Sequence, residues 1–361
     1  MKRLFGLARM LAIAVLAAAL PAQAAIVKGP YLQNATTDSI TVCWVSDIEE
    51  AGLVKYGFGA LLDRQANSET PALRHQVRIT GLDAGTEYAY QVISGSAKSE
   101  LATLRTAPRN GQPFRFAVYG DPRTGDEVHA KIVQQMIEFK PAFVMNSGDL
   151  VGSGRRPEDW DRFFKIAGPL MQRVPYYPCL GNHEQNSPLY FDYFALPGNE
   201  RYYSFDWGNC HFIILDSDPP YLSSEEQRQW LINDLRQERD TDFTFAMFHH
   251  PLYSGTKSVS RRLGAAEIRE YFGPILEEAG VDVVLNGHDH NYQHTFVNGV
   301  HYIITGGGGA SLYAVAKKWG FTKQAAVHHW LRVFVNGKRA TIEAVDLDGK
   351  LLEKIELRAR E

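Results

Sequence analysis

Cysteine is scarce: Cys43, Cys179 and Cys210 are the only three in 361 residues. An odd count at wide spacing is not a disulfide framework, even for an exported chain. Each lies in or beside an apolar strand-like run, so buried free thiols are expected. None occupies the basic or helix-start setting that makes a cysteine nucleophilic. Long apolar runs are missing beyond the first 24 residues, which excludes a membrane-spanning helix in the rest of the chain. A basic excess is missing too, with 38 Lys and Arg against 41 Asp and Glu. No nucleic-acid surface is therefore evident. Internal repeats and low-complexity tracts are absent, and the apolar and charged fractions are those of a globular protein. The glycine run Gly306 to Gly309 lacks the Lys-Ser/Thr that completes a P-loop, so it reads as a tight turn and not a phosphate cradle.

What is present begins with an export signal. Lys2, Arg3 and Arg9 precede an apolar run from Met10 to Leu20, and Pro21-Ala22-Gln23-Ala24 places small residues where a signal peptidase reads. The pattern predicts a Sec-type signal peptide over residues 1–24 and a periplasmic or secreted protein. No Cys follows the cleavage point, so no lipoprotein signal is seen. Removing that segment takes the net charge from −3 to about −6. A phosphorylated substrate would then be drawn by local cations and not by the whole field.

Two grammars follow. Residues 25–107 alternate apolar and polar positions, as in Ser39 to Val45, Gln76 to Thr80 and Glu87 to Val92, with turn residues between them. Short strands without helical pattern predict a β-sandwich. Thr103 to Gln112, with Pro108 and Gly111, reads as the linker. From residue 112 to 361, strand-length apolar runs alternate with helical-period segments such as Asp126 to Lys140 and Glu225 to Arg236. That alternation predicts a layered α/β domain whose ligands bind at the carboxyl ends of its strands. Asp126 is the expected N-cap of the first helix.

Polar clusters stand at five of those strand ends: Gly120-Asp121, Gly148-Asp149, Gly181-Asn182-His183-Glu184, His249-His250-Pro251 and Gly287-His288-Asp289-His290. Asp and Asn are ordinary turn and cap residues. Five such clusters delivering Asp, Asn and His, however, read as a metal centre. Asp121, Asp149, Asn182, His249, His288 and His290 form a mixed nitrogen and oxygen set suited to zinc, iron or manganese. Six ligands exceed a tetrahedral site and suit two ions better than one. Glycines before the ligands suggest sharp turns at the strand ends.

This ordered set resembles the calcineurin-like metallophosphoesterases. Trp44, Gly81-Leu82 and Tyr88-Ala89-Tyr90 are similar to a fibronectin type III domain over residues 25–107, which makes the whole resemble the purple acid phosphatase branch. The resemblance implies a layered metallophosphoesterase β-sandwich flanked by helices over residues 112–361. It implies an exported phosphoester hydrolase, acid-phosphatase-like, with two divalent or trivalent ions (Fe, Zn or Mn) and a metal-bound hydroxide that attacks a phosphorylated small molecule. Asp149 would bridge the ions. Asn182, His249 and His288 would hold the second ion, and Asp121 and His290 the first. His183 would stand over the leaving group and protonate it. The same residues fit a phosphodiesterase or nucleotidase, and a degenerate surface-binding protein is a third possibility.

Two positions depart from the family pattern. Many members have His two residues after the first Asp, where this chain has Arg123, and the purple branch has Tyr three residues after the bridging Asp, where it has Gly152. Without that tyrosinate no purple charge-transfer colour is expected. His129, one turn into the first helix, is a candidate for the missing ligand. Arg123 is a candidate clamp for the substrate phosphate, since guanidinium meets phosphate bidentately. His211, His301, His328 and His329 are expected to be structural or to support ligands from behind.

Overall fold

Chain segments with strict alternation become strands with one face buried. In the strand Ala72–Thr80, His75, Val77 and Ile79 are buried while their neighbours Arg74, Gln76 and Arg78 are exposed, the period-two signature of a half-covered sheet. The computed structural model describes residues 24–68, 70–256, 265–316 and 320–360. The predicted signal peptide, except Ala24, lies outside them. Among the described residues, 26–105 carry strands and no helix. Ile26–Gln33, Ser39–Glu50 and Ala72–Thr80 form one antiparallel sheet, and Gly52–Gly57 lies between Arg64–Asn67 and Glu87–Ser94 in a second.

From Phe114 onward two larger sheets stack. The first has six strands in the order Tyr176–Pro178, Val144–Asn146, Phe114–Tyr119, His329–Asn336, Arg339–Asp346 and Leu351–Arg358. The second has seven, with Cys210–Ile214, Phe243–Met247, Val283–Asn286 and Val300–Thr305 running parallel at its centre. Phe116 of the first sheet meets Phe212 and Phe245 of the second edge-on, at ring-centroid distances of 5.3 and 5.5 Å. Such edge-to-face packing is the favoured aromatic geometry, and it holds the sheets face to face over one apolar core. The three cysteines are free and buried within it.

Helices Asp126–Phe139 and Pro157–Met171 cover the first sheet. The N-cap of the earlier helix is Gly125, without a side-chain cap bond, and Asp126 and Glu127 fall in its first turn. Asp126 therefore favours the helix through the macrodipole and not, as expected, through capping. Ser224 caps the helix Glu225–Leu235 by accepting from the Gln227 N–H at 3.3 Å.

Parallel pairing decides where the chemistry falls. Asn146 stands opposite both Tyr119 and Pro178, and Met247 opposite Leu285. Three of the polar clusters therefore leave together at one edge of the first sheet, and two at one edge of the second.

Candidate metal centre

Three residues of the cluster adopt a conformation that side chains ordinarily avoid. Asp121, Asp149 and His288 have φ of 55°, 55° and 67°. Non-glycine residues rarely enter this region, and clustering there marks a constrained site. The preceding glycines mostly serve a different purpose from the sharp turn expected of them. Only Gly148, at φ 91°, uses glycine's freedom. A Cβ on Gly120 would lie 1.9 Å from Ser147 Oγ, one on Gly181 2.5 Å from Asp149 Oδ1, and one on Gly287 2.6 Å from Asp121 Oδ2. The absent side chains let neighbouring loops close on one another, and the ligands make the turns.

The donors converge. His249 Nδ1 donates to the Ser147 carbonyl at 2.8 Å, which turns its Nε2 lone pair inward. That Nε2 lies 3.3 Å from Asn182 Oδ1 and 3.4 Å from Asp149 Oδ1. His288 Nδ1 lies 3.0 Å from Asn182 Oδ1 and 3.3 Å from His249 Nε2. Two imidazole nitrogens, an amide oxygen and a carboxylate oxygen thus crowd one point. Asp121 and His290 approach from the side. His290 Nδ1 pairs with the Ser311 carbonyl at 2.8 Å, leaving Nε2 to face Asp121 Oδ1 at 3.3 Å. Asp121 Oδ2 accepts the His288 N–H at 2.9 Å, while buried Oδ1 has no hydrogen-bond partner among the described residues.

This arrangement calls for a cation. Burial would lower the pKa of His249, but Asp149, then Asp121 and Asp218, drive it up to about 10. Burial would raise Asp149, but His249, His183 and Arg123 hold it well below the usual carboxylate range. Such mutual demand for positive charge, together with inward lone pairs fixed by carbonyls behind the rings, is how metal-ligating histidines are prepared. Among the described residues, two groups of side chains could hold an ion, Asp121 with Asp149 and His249, and His249 with His250 and His288. His250 is also turned toward Ser217 Oγ at 2.9 Å and Asp218 Oδ1 at 3.7 Å.

His183 is half-buried at the mouth. Its N–H donates to Asp149 Oδ1 at 2.9 Å, Nδ1 pairs with the Gly152 carbonyl at 2.6 Å, and Nε2 lies 4.0 Å from Asp149 Oδ2. His129 lies elsewhere. Its Nε2 shares a hydrogen bond with the Tyr119 hydroxyl at 3.1 Å, its ring stacks on Phe163 at 5.9 Å, and burial lowers its pKa to about 3. The structure leaves His129 in the core between two helices and does not gather it with the ligands. Arg123 does reach the centre: Nε donates to Asp149 Oδ2 at 3.0 Å and Nη2 lies 3.3 Å from His290 Nε2.

Two supporting residues were not assigned from sequence. Glu184 accepts the N–H groups of Asp149, Leu150 and Gly181 at 2.8–2.9 Å, tying two ligand loops together. Its place directly after Asn182-His183 was the available signal. Tyr313 stacks on His290 with ring centroids 4.1 Å apart, and no motif pointed to it.

Comparison with known proteins agrees with this geometry. Residues 114–292 match the family model of the calcineurin-like phosphoesterases. Purple acid phosphatase 15 of Arabidopsis thaliana is 30% identical over 307 residues, covering 70% of this chain and 56% of that protein. An uncharacterised Mycobacterium tuberculosis protein is 27% identical over 293 residues, covering 66% of this chain and 55% of that one. The chain thus spans about half the length of the first curated relatives it matches. A purple acid phosphatase from yellow lupin seeds superposes with a TM-score of 0.80 at 19% identity, over 92% of this chain and 74% of that chain. At that identity the likeness is one of fold. The sequence matches are thus to phosphoesterases and phosphatases, and the structural match is to a shared fold.

Proposed function

We propose that this protein is an exported, metal-dependent phosphoester hydrolase of the purple acid phosphatase kind, acting on phosphomonoesters. The observation that carries the reading is the convergence of Asp149, Asn182, His249 and His288 on one point beneath a half-buried His183. The signal-like residues 1–24 support export. The two antiparallel sheets of residues 26–105 support a fibronectin type III-like unit ahead of a hydrolase domain from residue 112.

Those four residues would hold a divalent ion, which would supply Lewis-acid charge for the phosphoryl oxygens and lower the pKa of water to ~7. The protein supplies position and protons. Asp149 orients His183 by accepting its main-chain N–H, and the Gly152 carbonyl fixes the ring through Nδ1. With Nδ1 committed to that carbonyl, Nε2 is the ring atom of His183 left to donate a proton to the departing alkoxide oxygen. General-acid help of this kind is worth ~10²–10⁴-fold in rate. Turnover of nitrophenyl phosphate by the metal-loaded protein, abolished by chelation, tests the reading, with the bis-nitrophenyl diester as the comparison for a phosphodiesterase. His183→Ala is expected to lower kcat by roughly 10²–10⁴ while bound metal is unchanged. A variant indistinguishable from wild type sinks the assignment.

Arg123 and Gly152 at ligand positions of the family pattern favour one second reading, a non-catalytic binding protein. Metal-loaded protein inert on monoester, diester and nucleotide would establish it.

A further inference from the structure

We infer that Arg123 is a resident cation that takes the place of the first metal, so that the centre binds one ion tightly, at Asp149, Asn182, His249 and His288. The inference rests on the metal-centre reading above and concerns how many ions this chain accepts.

Asp149 is divided between two neighbourhoods. Its Oδ1 faces His249 Nε2, while its Oδ2 receives Arg123 Nε–H at 3.0 Å. His290 is committed in the same way. Its Nδ1 donates to the Ser311 carbonyl, so the Nε2 lone pair is the one that meets Arg123 Nη2 at 3.3 Å. The guanidinium therefore occupies the two lone pairs that a first-site ion would need. An ion would sit ~2.0–2.2 Å from each of those atoms, where the arginine nitrogens now approach. Guanidinium remains protonated throughout the working pH range, so it cannot vacate the site by losing charge.

The placement is built in. The loop carrying Arg123 is pinned from both sides: the Ala310 N–H donates to the Asp121 carbonyl at 2.9 Å and the Gly308 N–H to the Gly120 carbonyl at 2.8 Å. A Cβ on Gly125 would fall 1.9 Å from the Gly309 carbonyl oxygen, and one on Gly309 2.3 Å from that of Pro122. The glycine run 306–309 thus works as a bed for this loop. The arginine side chain is only 13% exposed against an Asp149 side chain at 1%.

The other first-site ligand of the purple pattern is closed off as well. A Cβ on Gly152 would meet Asp159 Oδ2 at 3.0 Å. That oxygen already accepts the Ser153 N–H at 2.9 Å and Arg156 Nη2 at 2.7 Å. A side chain there would have to push that bonded carboxylate aside by a few tenths of an ångström. Asp121 Oδ1 has no hydrogen-bond partner among the described residues and faces His290 Nε2 at 3.3 Å, the nitrogen that Arg123 also meets.

The test is a count. The full chain is stripped with a chelator, reloaded with Mn²⁺ and passed through a desalting column, and metal is read by mass spectrometry and electron paramagnetic resonance. Wild type is expected to retain one ion per chain with the six-line spectrum of an isolated Mn²⁺. Arg123→His is expected to retain two ions with an exchange-coupled spectrum, and Arg123→Lys, which keeps the charge, to remain at one. Two tightly held ions in wild type overturn the inference and leave the metal-dependent reading intact. No retained ion in wild type overturns both. A folded Arg123→His that stays at one ion also overturns it, because the arginine would then not be what excludes the second. Should Arg123→His fail to fold, the wild-type count and spectrum decide alone.

Discussion

Glu184 has both carboxylate oxygens among main-chain donors. Oε2 accepts from Asp149 and Gly181, and Oε1 from Leu150 and, at 3.4 Å, from Val151. Glutamine keeps the shape but offers only one acceptor oxygen, so at least one ligand-loop N–H would face an NH₂ group. Leaving a buried donor unsatisfied costs about 1–3 kcal/mol, and disturbing groups behind metal ligands costs ~10–100-fold in metal affinity. Glu184→Gln is therefore expected to lower the melting temperature and to release metal at ~10-fold lower chelator concentration. Unchanged melting and chelator titration would show that the carboxylate does not organise the loops. At this scale the sequence was informative about residue type but silent about bonding. Asp121, Asn182 and His290 stood out because each follows a strand-like run. Glu184 sat beside them without a role, because a residue that serves backbone donors leaves no spacing pattern. His129 showed the converse: its place one turn into the helix made it a candidate ligand, and the Tyr119 hydroxyl and Phe163 ring hold it instead.

Between single residues and the whole lie contacts that join elements. The strand Cys210–Ile214 is tied to the helix Glu225–Leu235 by His211, whose Nε2 lies 2.8 Å from Asp234 Oδ2 and whose Nδ1 lies 2.6 Å from Asp206 Oδ1. Arg239 Nη2 closes on Asp234 Oδ1 at 2.6 Å, and Ser204 Oγ donates to the same oxygen at 3.0 Å. Burial would lower the pKa of His211, but its hydrogen bonds to Asp206 and Asp234 outweigh this and the net shift is upward. Burial would raise Asp234, but His211 and Arg239 bring it down. A raised histidine contributes stability below its unfolded pKa of ~6.5 and loses it as pH rises through the folded value. A lowered aspartate contributes above ~3.9 and loses it on acidification. The network is thus worth most between about pH 4 and 6.5. His211→Gln is expected to cost about 2 kcal/mol near pH 5 and less at pH 9, read as the difference in melting temperature across pH. A difference that grows toward alkaline pH would contradict the charged pair. The elements themselves were legible, since apolar run length and period separate strand from helix. This network was not, because Asp206, His211 and Asp234 are polar residues on three elements whose adjacency only the tertiary fold creates.

At the level of the whole molecule, the sequence suggested two units divided near residue 107. What it did not disclose is how tightly the two parts are joined. The Tyr177 hydroxyl accepts the Ala35 N–H at 3.0 Å, Gln33 Oε1 accepts the Ala195 N–H at 2.5 Å, and Tyr90 donates to the Gln172 carbonyl at 2.7 Å. Tyr31 packs its ring 5.0 Å from Phe164 and donates its hydroxyl to the Tyr193 carbonyl at 2.5 Å. Side chains from both parts belong to one continuous apolar core, including Tyr177, which stacks on Phe205 at 3.8 Å. Residues that look like the face of a separate sandwich are in fact the floor beneath the strand Tyr176–Pro178, two residues before the loop that carries Asn182 and His183. The physical consequence is coupling: the two parts should unfold together, because separating them would strand buried N–H groups and expose aromatic surface. Calorimetry is expected to show one transition. Tyr177→Phe keeps the ring stack but leaves the Ala35 N–H unsatisfied, at about 1–3 kcal/mol, and should shift that whole transition down by roughly 2–4 °C per kcal/mol. Two resolved transitions, with the variant moving only one of them, would mean that residues 24–107 are a passenger and not a support for the metal-bearing loops.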